Sequence, residues 1–434
     1  MVGLEVELFT INEEGAMVNG ANDILNAVKG TKLEKYVAPE LSQSMIELRS
    51  KEKRTIRECA LAFLDNLQLL TELSEKLGYR LLPLGTHPGS MQPTMNTKAW
   101  YDAKNQVLGD DTIKEARISG FHFHYTLPEG ILEKNTERIK NVGRSKARDI
   151  FLQQYNLLVA LDPAALTFCQ SSPIWMGVNL AKDSRVLIYR DMEVLKGGTS
   201  TRGIHYYLPM FGALPEYEFT LQDIRVMADQ KKTEWLRLLE QKKFPTNEIA
   251  GYPSLKFMWG PLRVNKVGTF EYRGLDMNYP EVIFSTASLI FFALQAIEKL
   301  DLEAFPSDVG INEPFALEDN LIYLPPHATL KYLEYQSVLR GFESPEINKY
   351  CSNLINLVGK ISEKSDSRNL ALIKNMLASK KSVSDDILSM VKKNGYSLEQ
   401  KIPEEMLNHI ALYSSDRFSK SFSSLKTLFS SFTD

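Results

Sequence analysis

Three separate segments of this chain combine an apolar strand face with a face of charged or imidazole side chains, and this pattern constrains the fold most strongly. Side chains two residues apart in a β-strand lie on the same face. Each segment therefore presents two chemically active groups together and packs its apolar neighbours on the other side. If the three strands share one sheet with matched faces, these groups converge on one surface. The pairs are Glu5 with Glu7, His122 with His124, and Glu271 with Arg273.

A fourth segment adds two more carboxylates, Glu40 and Glu47. Glu47 lies between Ile46 and Leu48, and an unpaired carboxylate is costly to bury in such apolar surroundings. Carboxylates gathered beside imidazoles stay solvated unless a cation joins them. A set of mostly carboxylates with one or two histidines suits Mg²⁺ or Mn²⁺ better than Zn²⁺. The pattern therefore predicts a magnesium or manganese site.

Each of these features also has a simpler explanation. A Glu-x-Glu pair alone is typical of the solvated face of an amphipathic strand. A His-x-His pair alone is a surface or hydrogen-bonded pair about as often as it is a pair of metal ligands. Glu271 and Arg273 could form cross-strand ion pairs, and Glu47 could be a buried salt-bridge partner. Joint occurrence on three strands favours the shared site, on the condition that the strands are neighbours.

Other polar residues give weaker signals. His87, in the turn Gly85-Thr86-His87-Pro88, is as compatible with bracing a loop as with touching a substrate. The planar fork of Arg185 could hold a carboxylate or a phosphate, or could simply lie at the surface. The glycine-rich stretch 197–203 lacks the Lys-Ser/Thr of a P-loop and is interpreted as a flexible loop.

Charge and composition weigh against several classes of protein. With Lys+Arg 51 against Asp+Glu 54, the chain has no basic excess to favour nucleic-acid binding. Its three cysteines have no paired spacing, as expected of a protein in a reducing cytoplasm. The chain starts on a strand-like stretch, so no signal peptide is expected. The longest uncharged apolar run, between Glu281 and Glu298, is shorter than the roughly 20 residues of a membrane span. It predicts a buried helix and a cytoplasmic protein without a membrane partner.

The chain divides into two regions by its periodicity. Residues 1–300 mix strand and helix patterns, while 301–434 are predominantly helical and show no evident chemistry. Within the first region, a helix is predicted over 147–161 and is expected to break at Pro163. Long ordered loops are expected over 164–215, which are rich in Ser, Gly and Pro.

Taken in order, seven motifs of residues 1–300 resemble the glutamate–cysteine ligase family 2, carboxylate–amine ligases related to glutamine synthetase. Each motif is weak by itself, but the ordered set is specific. The motifs are Gly3-Leu4-Glu5-Val6-Glu7; Glu40 with Met45-Ile46-Glu47; Gly85-Thr86-His87-Pro88; His122-Phe123-His124; Ser171-Ser172-Pro173-Ile174-Trp175-Met176-Gly177; Ser184-Arg185; and Gly268-Thr269-Phe270-Glu271-Tyr272-Arg273 with Asp276.

The resemblance implies an α+β fold with an antiparallel, saddle-shaped sheet of the glutamine synthetase-like catalytic type, flanked by helices. It implies that 1–300 is the catalytic domain and that 301–434 is a C-terminal helical appendage packed on or beside it. ATP and Mg²⁺, or Mn²⁺ in its place, would lie on the concave face of the sheet. The implied metal ligands are Glu5, Glu7, Glu40, Glu47, His122 and Glu271.

The same resemblance assigns roles to the remaining motif residues. His124 is expected to face the nucleotide phosphates, and Arg273 the transferred phosphoryl group. Arg273 and Glu271 are thus the implied catalytic residues. Ser172, Arg185 and His87 match motif positions expected at the amino-acid substrate or a phosphate.

The implied activity is ATP- and Mg²⁺-dependent formation of an amide between the γ-carboxylate of glutamate and an amine, with cysteine as the leading acceptor, as in glutathione biosynthesis. Its substrates would be small molecules, and a homo-oligomer is compatible with the sequence. Two alternatives remain: a metal-dependent amide hydrolase, and a non-catalytic member that binds a nucleotide or an amino acid.

Overall fold

The computed structural model describes residues 1–307, 313–362 and 368–430, without the side chains of 428–430. The described strands are β1 (Val2–Ile11), β2 (Val37–Pro39), β3 (Met45–Arg49), β4 (Arg80–Leu82), β5 (Gly120–Thr126), β6 (Leu132–Glu133), β7 (Arg138–Ile139), β8 (Ile174–Trp175), β9 (Val178–Asn179), β10 (Glu193–Lys196), β11 (Thr199–Arg202), β12 (Leu262–Asn265), β13 (Thr269–Asp276), β14 (Glu303–Pro306), β15 (Leu317–Glu318) and β16 (Leu321–Leu324).

The described α-helices are α1 (Ala21–Ala27), α2 (Ile56–Lys76), α3 (Ala99–Leu108), α4 (Thr112–Glu115), α5 (Lys146–Cys169), α6 (Ser184–Tyr189), α7 (Pro209–Gly212), α8 (Leu221–Gln241), α9 (Asn247–Ala250), α10 (Pro280–Lys299), α11 (His327–Arg340), α12 (Pro345–Ile361), α13 (Ala371–Ser379), α14 (Val383–Lys393) and α15 (Glu404–Ser430). Short 3₁₀-helices cover Gly109–Asp111, Ser254–Phe257 and Gly341–Glu343.

A seven-stranded antiparallel sheet organises the molecule, in the order β12-β13-β5-β1-β3-β2, with β4 pairing with β1. The neighbours of β1 are therefore strands distant in sequence, and the three strands with paired chemical groups lie side by side. The predicted fold class, α+β with an antiparallel sheet, is confirmed.

One face of this sheet is apolar and is covered by helices. Phe270 of β13 packs against Phe151 of α5 with ring centroids 4.8 Å apart, and Tyr125 of β5 packs against Phe291 of α10 at 5.9 Å. Burying these rings fixes which face of each strand points inward, since slipping a strand by one residue would exchange its two faces. The polar members of the alternating pattern are thereby directed to the opposite face.

Helix α10 is the predicted buried helix. Among the described residues it alone is long and apolar enough to cross a membrane, and 89% of its most apolar window is buried within the protein. That burial confirms the interpretation as a core helix.

The predicted break at Pro163 is wrong, because α5 continues through it to Cys169. A proline inside a helix removes one hydrogen bond and costs about 3 kcal/mol, so tertiary contacts must outweigh the local preference. The surrounding turns are fully buried, Tyr350 donates a hydrogen bond to the Ala160 carbonyl (2.7 Å), and Thr167 donates to the Pro163 carbonyl (2.8 Å). The expectation of long loops over 164–215 is also wrong in part, since α6, α7 and two short hairpins lie there.

A buried ion network depends on this uninterrupted helix. Asp162 of α5 accepts hydrogen bonds of 2.6 and 2.9 Å from Arg190 and a third of 2.7 Å from the hydroxyl of Tyr272 on β13. Arg190 also pairs with Glu334 of α11. The Arg190 and Asp162 side chains are 1% and 0% exposed. The network therefore ties the central sheet to a helix from beyond residue 300.

Replacing Arg190 with Met is expected to lower the free energy of unfolding by about 3–5 kcal/mol, because two buried carboxylates lose their counter-ion. Urea denaturation measures the difference. Arg237→Met removes an exposed ion pair with Glu234 of α8 and should cost about 1 kcal/mol or less. A similar small loss for both variants would contradict a stabilising role of the network.

The region after residue 300 contains helices and also a small sheet that sequence periodicity did not predict. Strand β14 pairs in parallel with β16, which pairs antiparallel with β15. Helices α11 and α12 pack on α5, and the buried apolar residues of the region join the main hydrophobic core. The assignment of 1–300 as a catalytic domain and 301–434 as an appendage stays a prediction.

Candidate active site

The register of four adjacent strands brings the predicted residues onto one face of the sheet. Glu5 of β1 lies opposite His122 of β5, and His124 lies opposite Glu271 of β13. On the other side of β1, Glu7 lies opposite Glu47 of β3. The condition set by the sequence pattern, that these strands be neighbours with matched faces, is met.

The two histidines lie between the carboxylates. His122 Nδ1 is 3.2 Å from Glu5 Oε2 and 3.8 Å from Glu271 Oε1, while its Nε2 is 3.4 Å from Glu7 Oε1. His124 Nε2 is 3.4 Å from Glu5 Oε1. The ring of His122 therefore contacts carboxylates contributed by both β1 and β13.

Positive neighbours keep two of the carboxylates ionised. Burial alone would raise the pKa of Glu5, but the adjacent imidazoles of His122 and His124 hold it well below its usual range. Burial also opposes ionisation of Glu271, yet the charges of Arg263, His124 and Arg273 lower its pKa to about 2. Near neutral pH, both groups are anionic carboxylates.

Burial and negative neighbours raise the pKa of two more carboxylates of the face. Burial, together with the charges of Glu47 and Glu7, raises the pKa of Glu40 well above its usual range. Burial and the charge of Glu5 raise the pKa of Glu47, in spite of its ion pair with Arg49. The face thus carries more carboxylates than its own cations neutralise.

A divalent cation fits this donor set. Two groups of three side chains each offer ligand atoms within 4.8 Å of one another: Glu5, His124 and Glu271, and Glu5, Glu47 and His122. Within the part of the chain that the structure describes, the buried Glu271 Oε1, His122 Nε2 and His124 Nε2 make no hydrogen bond. A carboxylate-rich set with unsatisfied buried atoms is what Mg²⁺ or Mn²⁺ would complete. His124 joins one group, although the resemblance directs it to the nucleotide phosphates.

A pocket adjoins the acidic face. Its lining includes two of the predicted metal ligands, Glu7 and Glu40, together with Arg185, Tyr189 and Arg273. Arg273 Nη1 is 3.6 Å from Glu271 Oε1, so this guanidinium borders both the pocket and the acidic face.

Arg185 braces the strand that carries Arg273. Its guanidinium donates hydrogen bonds of 3.1 Å to the backbone carbonyls of Arg273 and of Gly274, where the register between β13 and β5 shifts. Its Nε faces no hydrogen-bond partner among the described residues. The structure thus brings Arg185 to the pocket wall and gives it a positioning contact, while its role at the substrate stays a prediction.

Ser172 and His87 make structural contacts. The Ser172 hydroxyl is fully buried and accepts a hydrogen bond of 3.1 Å from the backbone N–H of Arg185, in the first turn of α6. His87 accepts a hydrogen bond from the Gly89 N–H (3.0 Å) on Nδ1 and contacts the Gly15 carbonyl (3.1 Å) through Nε2, and burial lowers its pKa to about 4. His87 matches the loop-bracing alternative. Neither side chain lines the pocket, and their assignment to the substrate stays a prediction.

Several residues at the acidic face and its pocket were not predicted from the sequence. Arg263 and Asn265, two residues apart on β12, both donate to Glu271 Oε2, the former at 2.7 Å. They repeat the alternation that identified the other strands, so the signal was present. Glu115, which lines the pocket and pairs with Lys104 at 2.6 Å, lies in a short helix without any such pattern.

Replacing Arg263 with Met is expected to weaken Mn²⁺ binding by about tenfold, the usual effect of losing an outer contact that orients a metal ligand. With Oε2 held by Arg263, the free Oε1 of Glu271 points toward His122 and Arg273. Titration followed by electron paramagnetic resonance measures the affinity. Unchanged or tighter binding would show that Arg263 does not orient Glu271.

Two solved structures have a fold similar to that of this chain. A crystal structure of a bifunctional glutathione synthetase from Pasteurella multocida matches with a TM-score of 0.57 at 13% identity, over 97% of this chain and 53% of that one. A structure of glutamate–cysteine ligase from Francisella tularensis in complex with AMP also gives 0.57, at 12% identity, over 99% and 92%. At such low identity these likenesses show the fold alone.

In sequence, the model of glutamate–cysteine ligase family 2 matches residues 1–202, which confirms the resemblance. A provisionally named glutamate–cysteine ligase 2-1 of Legionella pneumophila (strain Corby) is 24% identical over 182 residues, 41% of this chain and 42% of the relative. A provisionally named ligase 2-2 of strain Lens is 24% identical over 310 residues, 70% of this chain and 67% of the relative. The first match thus spans less than half of the relative's length.

Proposed function

We propose that this protein is an ATP- and Mg²⁺-dependent carboxylate–amine ligase that joins the γ-carboxylate of glutamate to the amine of cysteine. The observation that carries the proposal is a single face with two possible cation sites that share Glu5, one completed by Glu47 and His122 and the other by His124 and Glu271. The family match over residues 1–202 supports the ligase class.

The chemistry of amide formation explains why such a face is useful. A carboxylate repels an attacking amine, so it is first phosphorylated by ATP, with release of ADP. The amine then attacks the acyl carbon, phosphate leaves, and the amine loses a proton. Two anions, the donor carboxylate and the triphosphate, must therefore meet. Bound Mg²⁺ would supply the neutralising charge on the phosphate oxygens.

The residues of this chain have distinct parts in the proposal. Glu5, Glu7, Glu40, Glu47, His122 and Glu271 would hold the cations. Arg273, at the junction of the acidic face and the pocket, would stabilise charge on the transferred phosphoryl group. His124 would contact the phosphates. The pocket beyond Arg273 would hold the donor amino acid, oriented by the strand that Arg185 braces.

Phosphate release tests the activity. The protein is incubated with Mg²⁺, ATP, glutamate and a panel of amines, and phosphate is measured against time. Release that requires both glutamate and cysteine is the expected result. ADP formation that is independent of any carboxylic acid would contradict a ligase, whereas glutamate dependence with a different amine would revise the acceptor alone.

Cation binding should also stabilise the fold. Mn²⁺ at 100 times its dissociation constant should raise the free energy of unfolding by about 2.7 kcal/mol. Denaturation with urea at several Mn²⁺ concentrations measures the increase. At the same Mn²⁺ concentrations, Glu47→Gln should show a smaller increase, because the loss of one carboxylate of the set weakens binding. An equal increase for both proteins would place the bound ion elsewhere.

We further propose a cytoplasmic location and substrates limited to small molecules, without a membrane or nucleic-acid partner. The three cysteines, each buried and unpaired, agree with a reducing compartment. Fractionation of the cells that produce the protein would test the location.

A further inference from the structure

Arg49 occupies an unusual place beside the predicted metal ligands. It lies directly opposite Glu5 in the register of β1 and β3, two residues after Glu47 on the same face. Its Nε makes a hydrogen-bonded ion pair with Glu47 Oε1 and lies 3.5 Å from Glu5 Oε1. One guanidinium therefore contacts two carboxylates of the group formed by Glu5, Glu47 and His122.

The contact differs from that of Arg263 on the other side of the face. Arg263 binds one oxygen of Glu271 and leaves Oε1 without a hydrogen bond among the described residues, so it orients the ligand. Arg49 instead contacts two of the three side chains whose ligand atoms could hold one cation. Its side chain is 50% exposed, compared with 22% for Arg263, so it has room to move outward.

Charge decides whether the Arg49 guanidinium or a divalent cation pairs with Glu5 and Glu47. The Arg49 guanidinium is the positive partner of Glu5 and Glu47 as the structure stands. A divalent cation bound by the same carboxylates would repel the guanidinium strongly at such short range. Because the cation carries twice the charge and ligates directly, the guanidinium is the group that leaves.

We propose that Arg49 is a resident counter-ion of the acidic face, which the divalent cation displaces and which then serves the phosphates of the nucleotide. The inference rests on the proposed metal site and goes beyond it in assigning an order of events. Once displaced, the half-exposed guanidinium would stay beside the face, and its planar fork suits phosphate oxygens. Cation binding would thus prepare a site for an anion.

Two binding measurements with opposite expected signs test this role. Mn²⁺ is titrated into the protein without nucleotide, and Arg49→Met should bind it about three- to fivefold more tightly, because competition from a partly exposed ion pair is lost. At saturating Mn²⁺, the same variant should bind a non-hydrolysable ATP analogue about threefold or more weakly, since one charged phosphate contact is lost. Arg49→Lys, which keeps the charge, should stay close to the unmodified protein in the Mn²⁺ titration.

Arg237→Met is the matched control, because Arg237 is 49% exposed, pairs with a glutamate and lies on α8; it should change neither affinity. Weaker or unchanged Mn²⁺ binding by Arg49→Met would overturn the counter-ion role, and unchanged nucleotide affinity would overturn the phosphate role. Arg49→Gln repeats the test if the Met variant melts early. If the unmodified protein binds no Mn²⁺, or Glu271→Gln binds it equally well, the proposed metal site itself fails.

Discussion

Glu271→Gln is expected to lower the rate of phosphate release by about a thousandfold or more, the loss that follows when several kcal/mol of charge stabilisation disappear. The carboxylate of Glu271 is ionised, with a pKa of about 2, and is 1% exposed. Its Oε1 lies next to both His122 and Arg273. The amide keeps the size of the side chain and an oxygen for Arg263, but it removes the anionic charge on which the site depends.

Glu281→Gln is a suitable control for this variant. Glu281, at the start of α10, pairs with Arg417 at 3.1 Å and is 23% exposed, so its replacement should leave turnover within about twofold, as is usual for a partly exposed pair. Both variants should melt cooperatively. Glu271→Gln that retains a tenth or more of the activity would remove this residue from the catalytic site.

Arg273→Met is expected to reduce kcat by about a thousandfold, with a much smaller change in the KM for ATP, as for arginines that stabilise a phosphoryl group in transfer. Burial opposes the charge of Arg273, but Glu271, Tyr189 and Glu7 raise its pKa above the ordinary value. Its backbone is fixed by Arg185, so the guanidinium is presented by a braced strand. Steady-state kinetics with Mg²⁺, ATP, glutamate and cysteine measure both constants.

Arg273→Lys distinguishes charge from geometry. Lysine keeps the positive charge but lacks the planar fork, so it should recover part of the lost rate. If Arg273→Met raises KM and leaves kcat unchanged, the residue binds the ground state only, and the assignment to the transferred phosphoryl group is wrong.

The chemistry of each strand could be predicted from the sequence, because the two-residue repeat is a local property. Glu5, His122 and Glu271 were identified from their own segments. Which strands are neighbours is not local: β1 pairs with β5 more than a hundred residues later, and the shared apolar face of these strands packs against α5 and α10 only in the folded chain. The ordered resemblance supplied what periodicity could not.

The features that were predicted wrongly or not at all have physical causes. A proline such as Pro163 usually interrupts a helix. Here a buried ion network, and hydrogen bonds that the hydroxyls of Tyr350 and Thr167 donate to backbone carbonyls of the helix, outweigh its local cost. The strands β14 to β16 are short and give too few residues for an alternating pattern. Glu115 reaches the pocket through the placement of a four-residue helix, which depends on tertiary contacts alone.

Diffraction from crystals soaked in Mn²⁺, recorded at a wavelength where manganese scatters anomalously, tests the central claim most directly. The predicted result is anomalous density within about 2.0–2.3 Å of carboxylate oxygens of Glu5 and of Glu47 or Glu271, beside the ring of His122. Density only at other carboxylates, or none on this face at saturating Mn²⁺, would contradict the claim that these residues form one metal site.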